Sequence, residues 1–271
     1  MGDDGPMDDP PASPTIDPAA RPAARALLGP IAWGRGVLLP IGVGAVVAAA
    51  LVPIDGPLTR AVRAVPLPGD VRRELELLQQ FGSPTIIALA FLFMLCLDPG
   101  RARRVLDWLL AAGIGLLVFN AMKGFIGRLR PDPSGGDPLA FLGPAGLFTT
   151  DAGAPPGPAW HVWDNAVLKA LSMPSTHTTH AAIAAAFLAC VYPRLRRLVI
   201  GWAVLVAFAR VRLGAHWPSD VALGAGLGWA LGWLVTTRWW GVRGLDWVWV
   251  TLVDRRAEPM FPRMIRRERG G

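Results

Sequence analysis

"MPSTHTTHAAIAAAFLAC" spans residues 173–190 and joins two unlike halves. The second half is uninterrupted apolar sequence. The first crowds hydroxyl groups around His177 and His180, three residues apart in a chain that has only four histidines. An apolar run headed by titratable groups reads as a membrane-crossing helix whose end carries chemistry, because ionisable groups at membrane depth are costly and tend to be functional.

Working outward, the composition agrees. The chain has 271 residues, is 52% hydrophobic and only 17% charged, and has a mean hydropathy of +0.39. Soluble domains carry about 25% charged residues. Six runs approach the roughly 20 apolar residues that cross a bilayer: 36–54, 83–98, 105–123, 176–192, 197–213 and 218–237. The expected fold is an all-α integral membrane protein with six transmembrane helices. Pro40 is expected to kink the first. "DVRRELELLQQF" (70–81) has amphipathic helical spacing and should lie along the surface. Gly224, Gly228 and Gly232 stand four apart, a close-packing face for another helix.

The net charge of +7 comes from arginines in short loops, with no basic stripe interleaved with aromatics. That distribution orients a membrane protein and argues against nucleic-acid binding. "GRARR" (100–104), "PRLRR" (193–197) and the tail "RMIRRERGG" fall on one face of a six-span chain. Both termini are therefore expected in the cytoplasm, with the loops after spans one, three and five outside. Trp239, Trp240, Trp247 and Trp249 would sit near the inner interface. Residues 1–30, rich in Asp, Pro and Ala and without a secretory signal pattern, read as a disordered tail. Residues 31–240 would form the six-helix core, and 241–271 an interfacial and basic cytoplasmic tail, with "LDWVWVTLV" (245–253) too short to cross. Cys96 and Cys190 lie in apolar runs, as packing residues do. The abundance of Ala, Arg, Gly and Pro points to a GC-rich bacterium, and so to an inner (plasma) membrane with the outward loops facing the periplasm or exterior.

Three clusters fall on the outward side. "KGFIGRLRP" places Lys123 and Arg130 seven residues apart, on one face if the helix persists. Positive charge on the outer side calls for an anion. Arg128 points elsewhere and is expected to be solvated. In the opening stretch, Ser175 or Thr176 would cap the fourth span, and a helix N-terminus with free amides attracts phosphate. His177 lies in that first turn, and no third ligand is spaced to complete a zinc site with the histidines. His180 and His161 read as structural. In "ARVRLGAHWPSD" (209–220), Arg210 ends span five and Pro218 opens span six. Asp220 can reach back to His216 and fix its tautomer, while Arg212 is expected to be solvated or paired locally. Together these groups are what phosphoryl transfer without a metal needs.

The three clusters resemble the split signature of the type-2 phosphatidic acid phosphatase superfamily: K-x6-R-P, then P-S-G-H, then S-R-x5-H-x3-D. Here they read Lys123…Arg130-Pro131, Pro174-Ser175-Thr176-His177, and Ala209-Arg210…His216…Asp220. Thr176 stands where the family has Gly, and Ala209 where it has Ser. The resemblance implies a metal-independent lipid phosphatase without a cofactor. His216 would be the nucleophile that forms a phosphohistidine, Asp220 its orienting partner and His177 the general acid and base. Lys123, Arg130, Ser175, Thr176 and Arg210 would bind phosphate. The partner would be a lipid phosphate of the outer leaflet, such as undecaprenyl pyrophosphate, phosphatidate, phosphatidylglycerophosphate or a lipid A phosphate. The outer loop, 132–173, would shape lipid access. Two rivals share parts of the pattern: a vanadate-dependent haloperoxidase, and a lipid-phosphate binding or transport protein with a degenerate site. The six spans weigh against the first, and the complete set of mechanism residues against the second.

Overall fold

The computed structural model describes residues 33–81, 83–131, 137–149 and 157–270. The expected tail over 1–30 lies outside them. Helices occupy all six of the apolar runs: α1 (Leu39–Leu51), α4 (Pro84–Leu97), α5 (Val105–Ile126), α7 (Thr176–Val191), α8 (Arg196–Arg212) and α9 (Pro218–Thr237). Between the first two lie the amphipathic helices α2 (Asp55–Ala64) and α3 (Gly69–Leu78). A short α6 (Asn165–Ala170) precedes α7, and α10 (Trp240–Val248) and α11 (Phe261–Gly270) follow the core. The long connection between α5 and α6 carries a two-residue antiparallel pair, β1 (Leu147–Phe148) with β2 (Gly157–Pro158).

Local chemistry sets the helix boundaries. At Pro40 the first run changes from a π-helical stretch, Trp33–Leu38, to α-helix, since proline has no N–H to continue the bonding pattern. Ser83 caps α4 by accepting from the Ile86 N–H at 3.4 Å, with Pro84 in the first turn. α5 stops at Gly127, whose φ of +61° is left-handed, and whose missing Cβ leaves room for the Gly143 carbonyl.

α9 is the central helix, packed between α1 and α7. The glycines make this possible. A Cβ on Gly228 would stand 2.2 Å from the Thr179 carbonyl oxygen, and one on Gly232 would stand 2.7 Å from that of Ile183. On the opposite side, a Cβ on Gly226 would lie 2.4 Å from the Pro40 carbonyl oxygen. The close-packing stripe expected from the spacing thus sits on α7, and an unanticipated second face holds α1. Beside this stack, Ile87, Met94, Trp108, Phe119, Ile183, Phe187 and Val235 form the apolar core, with Trp108 and Phe187 stacked at 5.2 Å.

Large apolar side chains also cover the outside: Val46, Leu92, Leu97, Leu117, Phe125, Leu198 and Val204 are all exposed. A belt of this size has no place on a protein surrounded by water. By length and composition, two helices among the described residues are long and apolar enough to cross a membrane, Trp33–Ala64 and Ala102–Ile126.

One end of the bundle is closed by a buried ion pair, Arg104 with Asp107 at 3.1 Å. Arg104 also donates to the Thr236 carbonyl and lies 3.4 Å over the Trp239 ring. Asp107 accepts from the Gly241 and Val242 amides, which pins α10 to α5. Trp239 is therefore buried, packed with Val242, Phe261, Met264 and Ile265, rather than exposed as a lipid-facing anchor would be. Trp247 and Trp249 are exposed. The opposite end, where α5 and α8 finish and α7 and α9 begin, gathers the chemistry.

Candidate active site

Helix α5 does not persist as far as Arg130. Beyond Gly127 the chain is extended: Arg128 bridges to Phe141, and Leu129 to Leu171. This short pairing fixes residues 170–172 against 128–130, through Arg130 N–H to Ala170 O at 3.1 Å and Ser172 N–H to Arg128 O at 2.7 Å. Lys123, on the helix, and Arg130, beyond its end, still converge. Lys123 Nζ and Arg130 Nε both donate to the Leu171 carbonyl at 3.3 Å. One acceptor shared by two cations leaves them excess donor capacity directed at one point. Burial holds the Arg130 guanidinium below its usual range, offset in part by Asp220.

Ser175 stands at the N-cap of α7 with extended backbone, but its side chain does not cap the helix. Its amide donates to the Asp220 carbonyl at 3.2 Å, and its hydroxyl accepts from the Thr178 hydroxyl at 3.1 Å. The Ser175 proton is left to donate elsewhere. Thr176 opens the helix and is half-buried, as is His177 in the next position. His180 lies one turn on, with Nδ1 2.9 Å from the Thr176 carbonyl and Nε2 3.3 Å from that of Ala112, so it ties α7 to α5. His161 meets Trp160 edge-on and lies tilted against Trp163 in the loop between α5 and α6.

Arg210, at the end of α8, is buried and donates to the Gln79 side chain. Arg212 is also buried, contrary to expectation, and donates to the Arg63 and Val65 carbonyls. Two arginines of one helix end thus hold the α2–α3 segment over the site.

His216 is fully buried in the turn between α8 and α9. Its Nδ1 lies 3.3 Å from Ser172 Oγ and its buried Nε2 has no hydrogen-bond partner among the described residues. Burial first, then the positive charges of Arg130, Lys123 and Arg210 and the neighbouring His177, hold the imidazole well below its usual pKa and keep it neutral. An unprotonated ring nitrogen beside cationic side chains has the chemistry to act as a nucleophile toward an anion.

Asp220 does not touch His216 directly: Oδ2 is 3.7 Å from Nδ1, beyond hydrogen-bond reach. That oxygen instead accepts from Ser172 Oγ and, at 2.8 Å, from the Trp217 amide. Oδ1 accepts from Arg128 Nη1 at 2.7 Å. Arg128, expected in solvent, is fully buried. It pairs also with Asp55 at 2.6 Å, donates to Ser219 Oγ at 2.5 Å and to the Pro138 carbonyl, and lies 4.8 Å over Phe141. Asp55 in turn accepts from the Ser219 amide at 2.9 Å and from its hydroxyl. The sequence reading missed Ser172, Arg128, Asp55 and Gln79. Asp55 carried a signal, since a lone carboxylate closing an apolar run demands a buried partner.

A helical, apolar-surfaced fold with Lys123, Arg130 and Arg210 gathered near a buried histidine at one end of the bundle is the arrangement expected of a membrane-associated protein that handles an anion. The family model of the PAP2 superfamily matches residues 104–243, more than half of the chain, and the chain belongs to that superfamily. It is 28% identical over 215 residues to a lipid A 1-phosphatase of Rhizobium etli, covering 73% of this chain and 82% of that protein. It is 31% identical over 112 residues to a lipid A 1-phosphatase of Rhizobium johnstonii, covering 41% of this chain and 38% of that one. Among solved structures it is similar to a transmembrane PAP2-type phosphatidylglycerolphosphate phosphatase from Bacillus subtilis, with a TM-score of 0.48 and 22% identity over 76% of this chain and 95% of the other.

Proposed function

We propose that the protein hydrolyses the phosphate of a lipid phosphate monoester or pyrophosphate, without a metal, through a phosphohistidine intermediate. The observation that carries this is the His216 Nε2 atom, buried and unpartnered among Lys123, Arg130 and Arg210. In the proposed first step Nε2 attacks phosphorus, the Nε2–P bond forms and the bond from phosphorus to the lipid oxygen breaks. His177, protonated, passes its proton to that leaving oxygen. In the second step His177 takes a proton from water, the hydroxide attacks phosphorus, and the P–Nε2 bond breaks to release phosphate. Charge on the equatorial oxygens is met by Lys123, Arg130, Arg210, the Ser175 hydroxyl and the free amides at the start of α7, Thr176 included. Thr176 keeps the amide that a glycine would offer, with a stiffer side chain beside it.

The six apolar helices would cross the membrane, with both termini in the cytoplasm and the site at the periplasmic or outer face, in reach of outer-leaflet lipids. The core would be residues 31–240. The likeness to the Rhizobium lipid A 1-phosphatases makes the 1-phosphate of a lipid A-type glycolipid the first substrate to test, ahead of undecaprenyl pyrophosphate, phosphatidate and phosphatidylglycerophosphate.

The test is phosphate release from that panel by detergent-purified protein with EDTA present, beside His216→Ala. Turnover that survives EDTA and vanishes in the variant is expected. Turnover by His216→Ala near that of the unaltered protein would sink the nucleophile assignment, and tight phosphate binding with no turnover would favour a binding protein.

A further inference from the structure

Ser172 sits inside the site without a role in the expected signature. It is fully buried, two residues ahead of Pro174, and held by its own amide on the Arg128 carbonyl at 2.7 Å. Its hydroxyl lies between Asp220 Oδ2, to which it donates, and His216 Nδ1 at 3.3 Å, while the two outer groups stand 3.7 Å apart. We infer that Ser172 is a positioning residue that sets the tautomer of His216 and relays the orienting effect of Asp220 to it.

A hydroxyl has one proton and two lone pairs, and an ionised carboxylate only accepts. Asp220 receives donors from Arg128, the Trp217 amide and Ser172, as an ionised carboxylate does. The Ser172 proton is therefore committed to Asp220, and its oxygen can meet the imidazole only as an acceptor. Nδ1 must then carry the hydrogen, which leaves the lone pair on Nε2, the buried atom without a hydrogen-bond partner in a ring that feels the charges of Lys123, Arg130 and Arg210. The opposite tautomer would need the Ser172 proton turned toward Nδ1, stripping a donor from a buried carboxylate, and would leave a buried Nε2–H among cations. Both changes are unfavourable. Arg128 and Asp55 act one step further out, since they hold the carboxylate that holds the hydroxyl. The relay is His216–Ser172–Asp220, with the serine in the middle. This inference rests on the nucleophile reading of His216.

The direct test is nitrogen-15 NMR of detergent-solubilised protein labelled at histidine, which with four histidines per chain is assignable by His216→Ala. The expected result is a His216 with protonated Nδ1 and bare Nε2, and in Ser172→Ala a mixture of tautomers. In the kinetic arm, Ser172→Ala should lower kcat by roughly 10²- to 10⁴-fold, the upper end being the loss when a triad carboxylate is disabled. KM should stay nearly constant, because Ser172 lies behind the imidazole. Ser172→Thr, which keeps the hydroxyl, should recover much of that rate, and Ser172→Cys serves if the extra methyl disturbs folding. A bare Nδ1 in the unaltered protein, an unchanged tautomer in Ser172→Ala, or a Ser172→Ala rate within about threefold of normal overturns the relay. The NMR arm does not depend on turnover: retained turnover in His216→Ala alone would reject the phosphohistidine, leaving the tautomer result standing.

Discussion

Replacing Arg128 with methionine keeps most of the side-chain volume and removes the charge between two buried carboxylates. Arg128 pairs with Asp55 at 2.6 Å and Asp220 at 2.7 Å, and all three are fully buried. Breaking a buried pair from one side is destabilising by about 3–5 kcal/mol, since the orphaned charge stays buried. Here two carboxylates are orphaned, so the upper part of that range applies. At about 2–4 °C per kcal/mol for chains of this size, the unfolding midpoint should fall by roughly 10–20 °C. The assay is thermal unfolding in detergent, followed by tryptophan fluorescence, with turnover measured in parallel below the transition. Adding Asp55→Asn removes one of the stranded charges. The double variant should therefore melt above the sum of the two single effects, by a coupling of about 0.5–3 kcal/mol. An Arg128→Met midpoint within about 2 °C of the unaltered protein, or strictly additive effects in the double variant, would refute the reasoning. Arg128→Lys should fail to substitute, because an ammonium lacks the planar fork that spans two carboxylates and a hydroxyl.

Two more predictions follow from packing and from charge. Gly228→Ala puts a methyl 2.2 Å from the Thr179 carbonyl oxygen, backbone that cannot swing aside, so α9 must move off α7. A loss of about 1–3 kcal/mol of stability is expected, read as a lower unfolding midpoint, whereas Gly244→Ala, with nothing within 4 Å, should change little. The second concerns pH. The His216 pKa is lowered in the folded chain by burial and by Arg130, Lys123 and Arg210. An unfolded chain takes up a proton at this residue below about pH 6.5, and the folded chain does not. Folded stability should thus fall as pH drops below that point. Midpoints measured from pH 7.5 to 5 should show a shallower fall in His216→Ala than in the unaltered protein, and parallel curves would contradict the assignment.

The sequence by itself determined the helices. All six apolar runs are helices within a few residues of their expected limits, because apolar length and the boundary residues Pro40, Ser83 and Pro218 act locally along the chain. It also brought the three charged clusters into view, since each is a short string of residue types with strong chemical preferences. What it could not decide was which polar groups are paired. Arg128 read as solvated because it points away from the face that carries Lys123 and Arg130, and Arg212 as solvated or paired locally. Burial of Arg128 depends on Asp55 and Asp220, 73 and 92 positions away, and that of Arg212 on carbonyls 147 and 149 positions away. Likewise Asp220 four residues beyond His216 looked like a direct partner, yet the helix start turns its carboxylate onto the Trp217 amide and leaves a gap of 3.7 Å. Ser172, 44 residues from His216, fills that gap. Helix formation depends on residues within a turn or two, whereas the satisfaction of a buried charge depends on whatever the packed bundle brings within 3 Å. For that reason the helices could be read along the chain, while the relay that orients the histidine emerged only when the chain was folded.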